Sequence, residues 1–183
     1  SHKYPHMGEP GPTIGFLQEC VRWWDHWLKG VDNGVMEEPM LRAWMQDSVE
    51  PTSSYQVRPG RWVAENIWPS QRIDHRRYAL APGEIAGAGE ERPEAVMTIQ
   101  SPLSVGLFAG KWCSYAATPD LPHDQREEDG GALVFDTEPL EETLEILGAP
   151  VLELELASNR PNAMVAVRLS DVAPDDKATR ITY

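Results

Sequence analysis

The chain has 183 residues, enough for one domain with a hydrophobic core, or for one domain joined to part of another. Its formal net charge is -13, and a surface of that sign repels nucleic-acid phosphates and anionic lipid, so we expect no nucleic-acid or membrane partner. The only cysteines are Cys20 and Cys113, which we predict to be free thiols; we expect no metal site and no cofactor.

The first predicted element is an amphipathic helix from Ile14 to Lys29. Thr13 is placed to cap its start, and Gly30 is placed to end it in a left-handed turn. A face this wide and apolar needs a large partner surface, so we expect it to self-associate or to pack on another domain. The apolar residues recur at helical spacing: Leu17, Cys20, Val21, Trp24, Trp27 and Leu28.

From Val35 onward the apolar spacing becomes that of strands. The clearest alternation lies in 151–158, where Leu152, Leu154 and Leu156 would point inward. Several short strands separated by turns favour a mainly β, antiparallel sandwich or jelly roll. Tyr183 would then lie inside an unfinished strand, so we expect the sandwich to be truncated. The predicted strands lie within 35–46, 72–82, 132–137, 151–158, 163–172 and 178–183, with a turn-rich segment at 55–69.

Six stretches in order resemble the cocaine-esterase and X-prolyl dipeptidyl aminopeptidase family of serine hydrolases. They are "SHKYPHMGEPGPTIGFLQE", "RWWDHWLKGVDNGV", "EPMLRAWMQ", "PGRWVAENIWP", "GKWCSYAATPDLPHDQREEDGGALVFDTEPL" and "EILGAPVLELELASNRPNAMVAVRLSDVAPD". The resemblance covers nearly the whole chain. It implies an α/β-hydrolase domain with a Ser-His-Asp triad, followed by a C-terminal jelly roll of the galactose-binding-like type.

On this resemblance, residues 1–34 are the catalytic-His loop and final helix of the α/β-hydrolase domain, and residues 35–183 are the jelly roll. His2 is the implied catalytic histidine, acting as general base towards the serine and then as general acid towards the leaving group. Because the triad order in this fold is Ser, acid, His, the nucleophile and the acid would precede this sequence. The implied partner is a small ester, amide or peptide substrate, cleaved through an acyl-enzyme.

Alternative explanations exist for each candidate residue. Ser1-His2 could be the remnant of a cleaved tag, and His6 could be the functional histidine instead. Ser114 in "WCSYAA" superficially resembles a nucleophile, but Trp112 stands where a nucleophile elbow needs a glycine. The competing function is a non-catalytic jelly roll that binds carbohydrate or protein. Trp44, Trp62, Trp68 and Trp112 are expected to fill the core or a domain interface rather than to form a sugar platform.

The acidic stretch "DLPHDQREEDGG" (120–131) has two explanations. Its dense carboxylates suit calcium. Alternatively, Arg126 bridges Asp124 and Asp129 in an ion-paired loop. The family resemblance favours the ion-paired loop, because a similar loop recurs in the jelly roll of that family.

Overall fold

The computed structural model describes residue 12 and residues 14–111 and 121–182. Within these residues the chain forms two α-helices, one short 3-10 helix and seven strands, the strands arranged in three small sheets. None of the described helices is long and apolar enough to cross a bilayer.

Helix α1 spans Phe16–Lys29 and confirms the predicted helix. Gly30 ends it in the left-handed conformation (φ 68°), and its N–H donates to the carbonyl of His26, as predicted for this position. The start is different from the prediction. Gly15 is the N-cap and no side chain caps the helix, so the helix begins two residues after Ile14; Thr13 lies outside the described residues.

The first hairpin pairs β1 (Leu41–Gln46) with β2 (Gly60–Glu65) in antiparallel register. The predicted strand from residue 35 therefore starts late. The side chain of Asn33 accepts from the N–H of Val35 and Gly34 has a left-handed backbone (φ 72°), which turns the chain into a 3-10 helix over Val35–Glu37. β2 lies inside the segment that we predicted only as turn-rich.

The second sheet contains β3 (Leu80–Ala81), β4 (Gly83–Ile85) and β5 (Phe135–Asp136), with β4 antiparallel to β3 and parallel to β5. The third pairs β6 (Ser170–Val172) with β7 (Ala178–Arg180), antiparallel. β3, β5, β6 and β7 confirm predicted positions but are shorter than predicted, whereas β4 lies outside the predicted strands. Helix α2 (Arg126–Asp129) packs beside β7, because the N–H of Gln125 donates to the carbonyl of Ala178.

The predicted strand at 151–158 is wrong, and so is most of the one at 163–172. Leu152, Leu154 and Leu156 are exposed rather than inward. Alternation fits a strand only where a neighbouring strand completes the hydrogen-bond ladder and a second layer covers the apolar side. No described residue pairs with 151–158 in a ladder.

The chain leaves much of its apolar surface in contact with solvent. Its accessible surface is 14668 Å², whereas a compact protein of this mass would expose about 8,900 Å². Among the described residues the buried hydrophobic side chains are Ala81, Ala86 and Ala178. The fold is thus a mainly β arrangement with few helices, whose strands bury little of the apolar surface that the sequence provides.

Candidate functional site

The polar side of α1 is fixed to the start of the β region. The guanidinium of Arg22 donates to carboxylate oxygens of Glu38 and, at 2.5 Å, of Glu19. Asn33 Nδ2 donates to the carbonyl of Arg22 at 2.7 Å, and Arg42 forms a second ion pair with Glu38 at 3.3 Å. Hydrogen bonding from Arg22 holds the pKa of the Glu38 carboxyl below its ordinary value. These contacts orient the helix.

The opposite side of α1 is apolar and exposed. Leu17 is 71% exposed, Trp24 53%, Trp27 54% and Leu28 75%. Trp23 and Trp27 contact each other with their rings tilted by 51°, 5.8 Å between centroids. We call this the α1 apolar face; it comprises Phe16, Leu17, Cys20, Val21, Trp23, Trp24, Trp27 and Leu28. Apolar patches of this kind typically mark an interaction surface.

No catalytic constellation is present in the described part of the chain. His2 and His6 lie outside the described residues, as do Ser114, Trp112 and Cys113. Two of the described histidines have local partners instead: His26 Nδ1 lies 3.1 Å from the carbonyl of Val31, and His123 packs edge-on against Phe108. Among residues 14–111 and 121–182 no serine hydroxyl is hydrogen-bonded to a histidine ring.

The acidic stretch forms an ion-pair network, which we call the Arg126–Arg168 cluster (Gln125, Arg126, Asp129, Asp136, Arg168 and Asp176). Arg126 contacts Asp129 at 3.1 Å, as predicted, but its other partners are Asp136 at 3.3 Å and Asp176 at 2.9 Å. The predicted bridge to Asp124 is wrong. Asp124 accepts from the backbone N–H groups of Arg126 and Ala178, at 3.1 and 2.9 Å.

This cluster connects distant parts of the chain. Arg168 donates to the side-chain oxygen of Gln125 at 2.9 Å and to Asp129 at 3.3 Å. Gln125, only 1% exposed, also donates to the carbonyls of Phe108 and His123. The carboxylates of this stretch therefore bind arginines and backbone N–H groups. Among the described residues no group of three or more His, Cys, Asp or Glu side chains could hold a metal ion.

Glu128 fixes the neighbouring loop. It is 3% exposed, and its two carboxylate oxygens accept from the backbone N–H groups of Gly106 and Phe108, the latter at 2.6 Å. Sequence reasoning placed Glu128 in an acidic stretch but could not identify these partners, because they are backbone groups twenty residues away or more.

A second buried polar group was also missed. Ser70 Oγ donates to Glu65 at 2.6 Å, and Arg72 pairs with the same carboxylate at 2.8 Å. The hydrogen bond from the Ser70 hydroxyl, and next to it the contact with Arg72, holds the pKa of Glu65 below its ordinary value. The group closes the turn after β2. The sequence signal available was only the short spacing of Glu65, Ser70 and Arg72.

The tryptophans of the β region do not form a flat platform. The Trp44 and Trp62 rings pack edge to face, with planes 76° apart and centroids separated by 5.5 Å. Trp62 and Trp68 are 50% and 39% exposed, so they do not fill a core, and their alternative placement at a domain interface stays a prediction. Sugar stacking needs two exposed, coplanar rings, and the described tryptophan pairs do not have that geometry.

Sequence comparison relates the chain to hydrolases. The family model described as X-Pro dipeptidyl-peptidase C-terminal non-catalytic domain matches residues 33–183. Two proteins named "Putative serine esterase", from Mycobacterium bovis and Mycobacterium tuberculosis, are 23% identical over 181 residues, which is 97% of this chain and 27% of theirs. A protein named "Putative Xaa-Pro dipeptidyl-peptidase" from Streptomyces avermitilis is 26% identical over 165 residues, 84% of this chain and 20% of that protein.

The chain thus spans about a quarter of the length of the mycobacterial relatives that it matches. No solved structure matches the chain.

Proposed function

Because the chain belongs to the family of the X-Pro dipeptidyl-peptidase C-terminal non-catalytic domain, we propose that it is the C-terminal part of a longer serine hydrolase that cleaves ester or amide bonds. In this proposal residues 1–34 end the α/β-hydrolase domain and residues 35–183 form a jelly roll of the galactose-binding-like type. The boundary is supported by the start of the family match at residue 33 and by the change from helical to strand spacing near Gly34.

The single observation that carries the proposal, beside the family, is the orientation of α1. Its polar side is held to the β region by Arg22, Asn33 and Glu38, and this leaves the α1 apolar face exposed. A hydrolase domain that contributes a sheet surface would cover this face while the polar side stays attached to the β domain. The helix would then belong structurally to one domain and be connected to the other by ion pairs.

The proposed chemistry assigns one catalytic role to this chain. His2 takes the proton of an upstream serine as it attacks the carbonyl, and gives it to the departing alcohol or amine. An upstream aspartate orients its imidazole. The substrates are small esters, amides or peptides, and the reaction passes through an acyl-enzyme. The β domain supplies no reacting group.

The proposal is tested in the longer protein, expressed with its natural upstream sequence. Hydrolysis of a p-nitrophenyl acyl ester and of an Xaa-Pro p-nitroanilide is compared for the wild type, His2→Ala and the control His6→Ala. We expect His2→Ala to lower kcat by ~10³-fold or more and His6→Ala to leave it nearly unchanged. Equal activity of wild type and His2→Ala would contradict the assignment of His2. Absence of hydrolysis in the wild type would contradict the hydrolase and favour a binding module.

By itself the 183-residue chain should be inactive, because in this proposal the serine nucleophile and the aspartate lie upstream of it. We also propose that the exposed α1 apolar face makes the isolated chain self-associate. A monomer by analytical ultracentrifugation at micromolar concentration would contradict that proposal.

A further inference from the structure

A small pocket lies between the first hairpin and the third sheet, far along the chain from α1. Its volume is about 80 Å³, enough for one carboxylate or a similar small group. Among the described residues two arginines and no Asp or Glu line it, although the chain carries 29 acidic residues and a net charge of -13. The lining residues are Gln46, Thr52, Tyr55, Arg58, Leu121, Pro122, Thr179, Arg180 and Ile181.

Arg58 is held in place by contacts other than an ion pair, since no carboxylate in the described part of the chain pairs with it. Its guanidinium stacks over the ring of Tyr55, 4.9 Å from the centroid, and its backbone carbonyl accepts from Trp44 Nε1 at 3.2 Å. Its Nε is buried and has no hydrogen-bond partner among the described residues. Most described arginines, by contrast, are paired with a carboxylate. A guanidinium fixed in this way has a positive charge that no carboxylate of residues 14–111 and 121–182 pairs with.

The walls of the pocket are rigidly connected. Tyr55 Oη donates to the carbonyl of Glu50 at 2.6 Å, which fixes the ring beneath Arg58. Thr179 Oγ1 donates to the carbonyl of Val49 at 2.6 Å, and the N–H of Leu121 donates to the carbonyl of Ser53 at 3.0 Å. The pocket is therefore preformed, and a ligand would lose little affinity to the ordering of its walls.

We propose that this pocket binds the carboxylate of a small organic acid on the guanidinium of Arg58. The planar fork of arginine matches the two oxygens of a carboxylate. Leu121, Pro122 and Ile181 provide apolar wall for a short alkyl group attached to it. This proposal does not rest on the role proposed for His2.

The test is a titration of the ¹⁵N-labelled 183-residue chain with sodium propionate, against sodium chloride at equal ionic strength. The Nε–Hε signal of Arg58 is identified by its loss in Arg58→Lys. We expect a saturable shift with a Kd on the order of 1 to 10 mM. Arg58→Gln should weaken binding at least ~10-fold, read from the backbone amide of Tyr55. Arg160→Gln, at an exposed position outside the pocket, should leave it unchanged.

Three results would overturn the proposal. The first is no saturable shift in the wild type. The second is equal binding by Arg58→Gln and Arg160→Gln. The third is saturation of the same signal by sulfate at lower concentration than propionate, which would indicate a site for tetrahedral anions. If Arg58→Gln does not fold, Tyr55→Leu removes the platform beneath the guanidinium, and unchanged propionate binding by that variant would equally contradict the proposal.

Discussion

Replacing Glu128 with alanine removes a carboxylate that fixes the loop containing Gly106 and Phe108. Both oxygens of this carboxylate accept backbone N–H groups, and the side chain is 3% exposed. A hydrogen bond to a charged group contributes about 1.5–3 kcal/mol. Because Gly106 and Phe108 are themselves exposed, water recovers part of the loss. We therefore expect Glu128→Ala to lower the free energy of unfolding by about 2–4 kcal/mol.

The assay is urea unfolding followed by tryptophan fluorescence, with Glu127→Ala as the matched control. Glu127 lies on the same short helix but is exposed, so its substitution should change the free energy of unfolding by less than about 0.5 kcal/mol. Glu128→Gln retains one acceptor oxygen and should fall between the two. If Glu128→Ala and Glu127→Ala have the same free energy of unfolding, the carboxylate does not hold the loop, and the reasoning is refuted.

Three further predictions concern other parts of the chain. Gly60→Ala should lower the free energy of unfolding by about 1–3 kcal/mol in the same urea assay, because the new Cβ would lie 2.2 Å from the carbonyl oxygen of Met45. The control Gly130→Ala has open space around the new Cβ and should change the free energy of unfolding little. The pKa of Glu65 is lowered from 4.5, so this carboxylate stabilises the fold above pH 4.5, and the stabilisation is lost as the pH falls through the lower pKa of the folded state. Glu65→Gln should therefore flatten the dependence of the free energy of unfolding on pH below 4.5. An unchanged dependence would contradict the contacts with Ser70 and Arg72. Trp24→Glu should leave the free energy of unfolding of the isolated chain within about 0.5 kcal/mol of the wild-type value, yet reduce its self-association in analytical ultracentrifugation. An unchanged sedimentation coefficient would show that the chains do not associate through the α1 apolar face.

The sequence predicts α1 well because the information is local. Helical spacing of apolar residues and a glycine at the C-terminus depend on neighbours within a few positions, and Gly30 has the expected left-handed backbone. The start of the helix is less predictable, since Gly15 rather than a capping side chain occupies the N-cap.

The lack of strands in 151–169 could not be predicted, because alternation alone does not decide whether a strand forms. Leu152 and Leu154 alternate with glutamates, but a strand also needs a neighbour for its ladder, and that neighbour is not specified by the segment itself. In the Arg126–Arg168 cluster, Asp129 was predictable from its spacing of three residues. Asp136 and Asp176 lie 10 and 50 residues away from Arg126, so only the tertiary fold brings them to it.

We propose that this chain has no hydrolase activity without an upstream hydrolase domain, which would supply the serine nucleophile and the aspartate. The most direct test is the rate of p-nitrophenyl ester hydrolysis by the 183-residue chain, measured beside the longer protein at equal molar concentration. We expect turnover by the longer protein, and none above the buffer rate by the chain alone. Hydrolysis by the chain alone, abolished by substitution of one of its own residues, would contradict it.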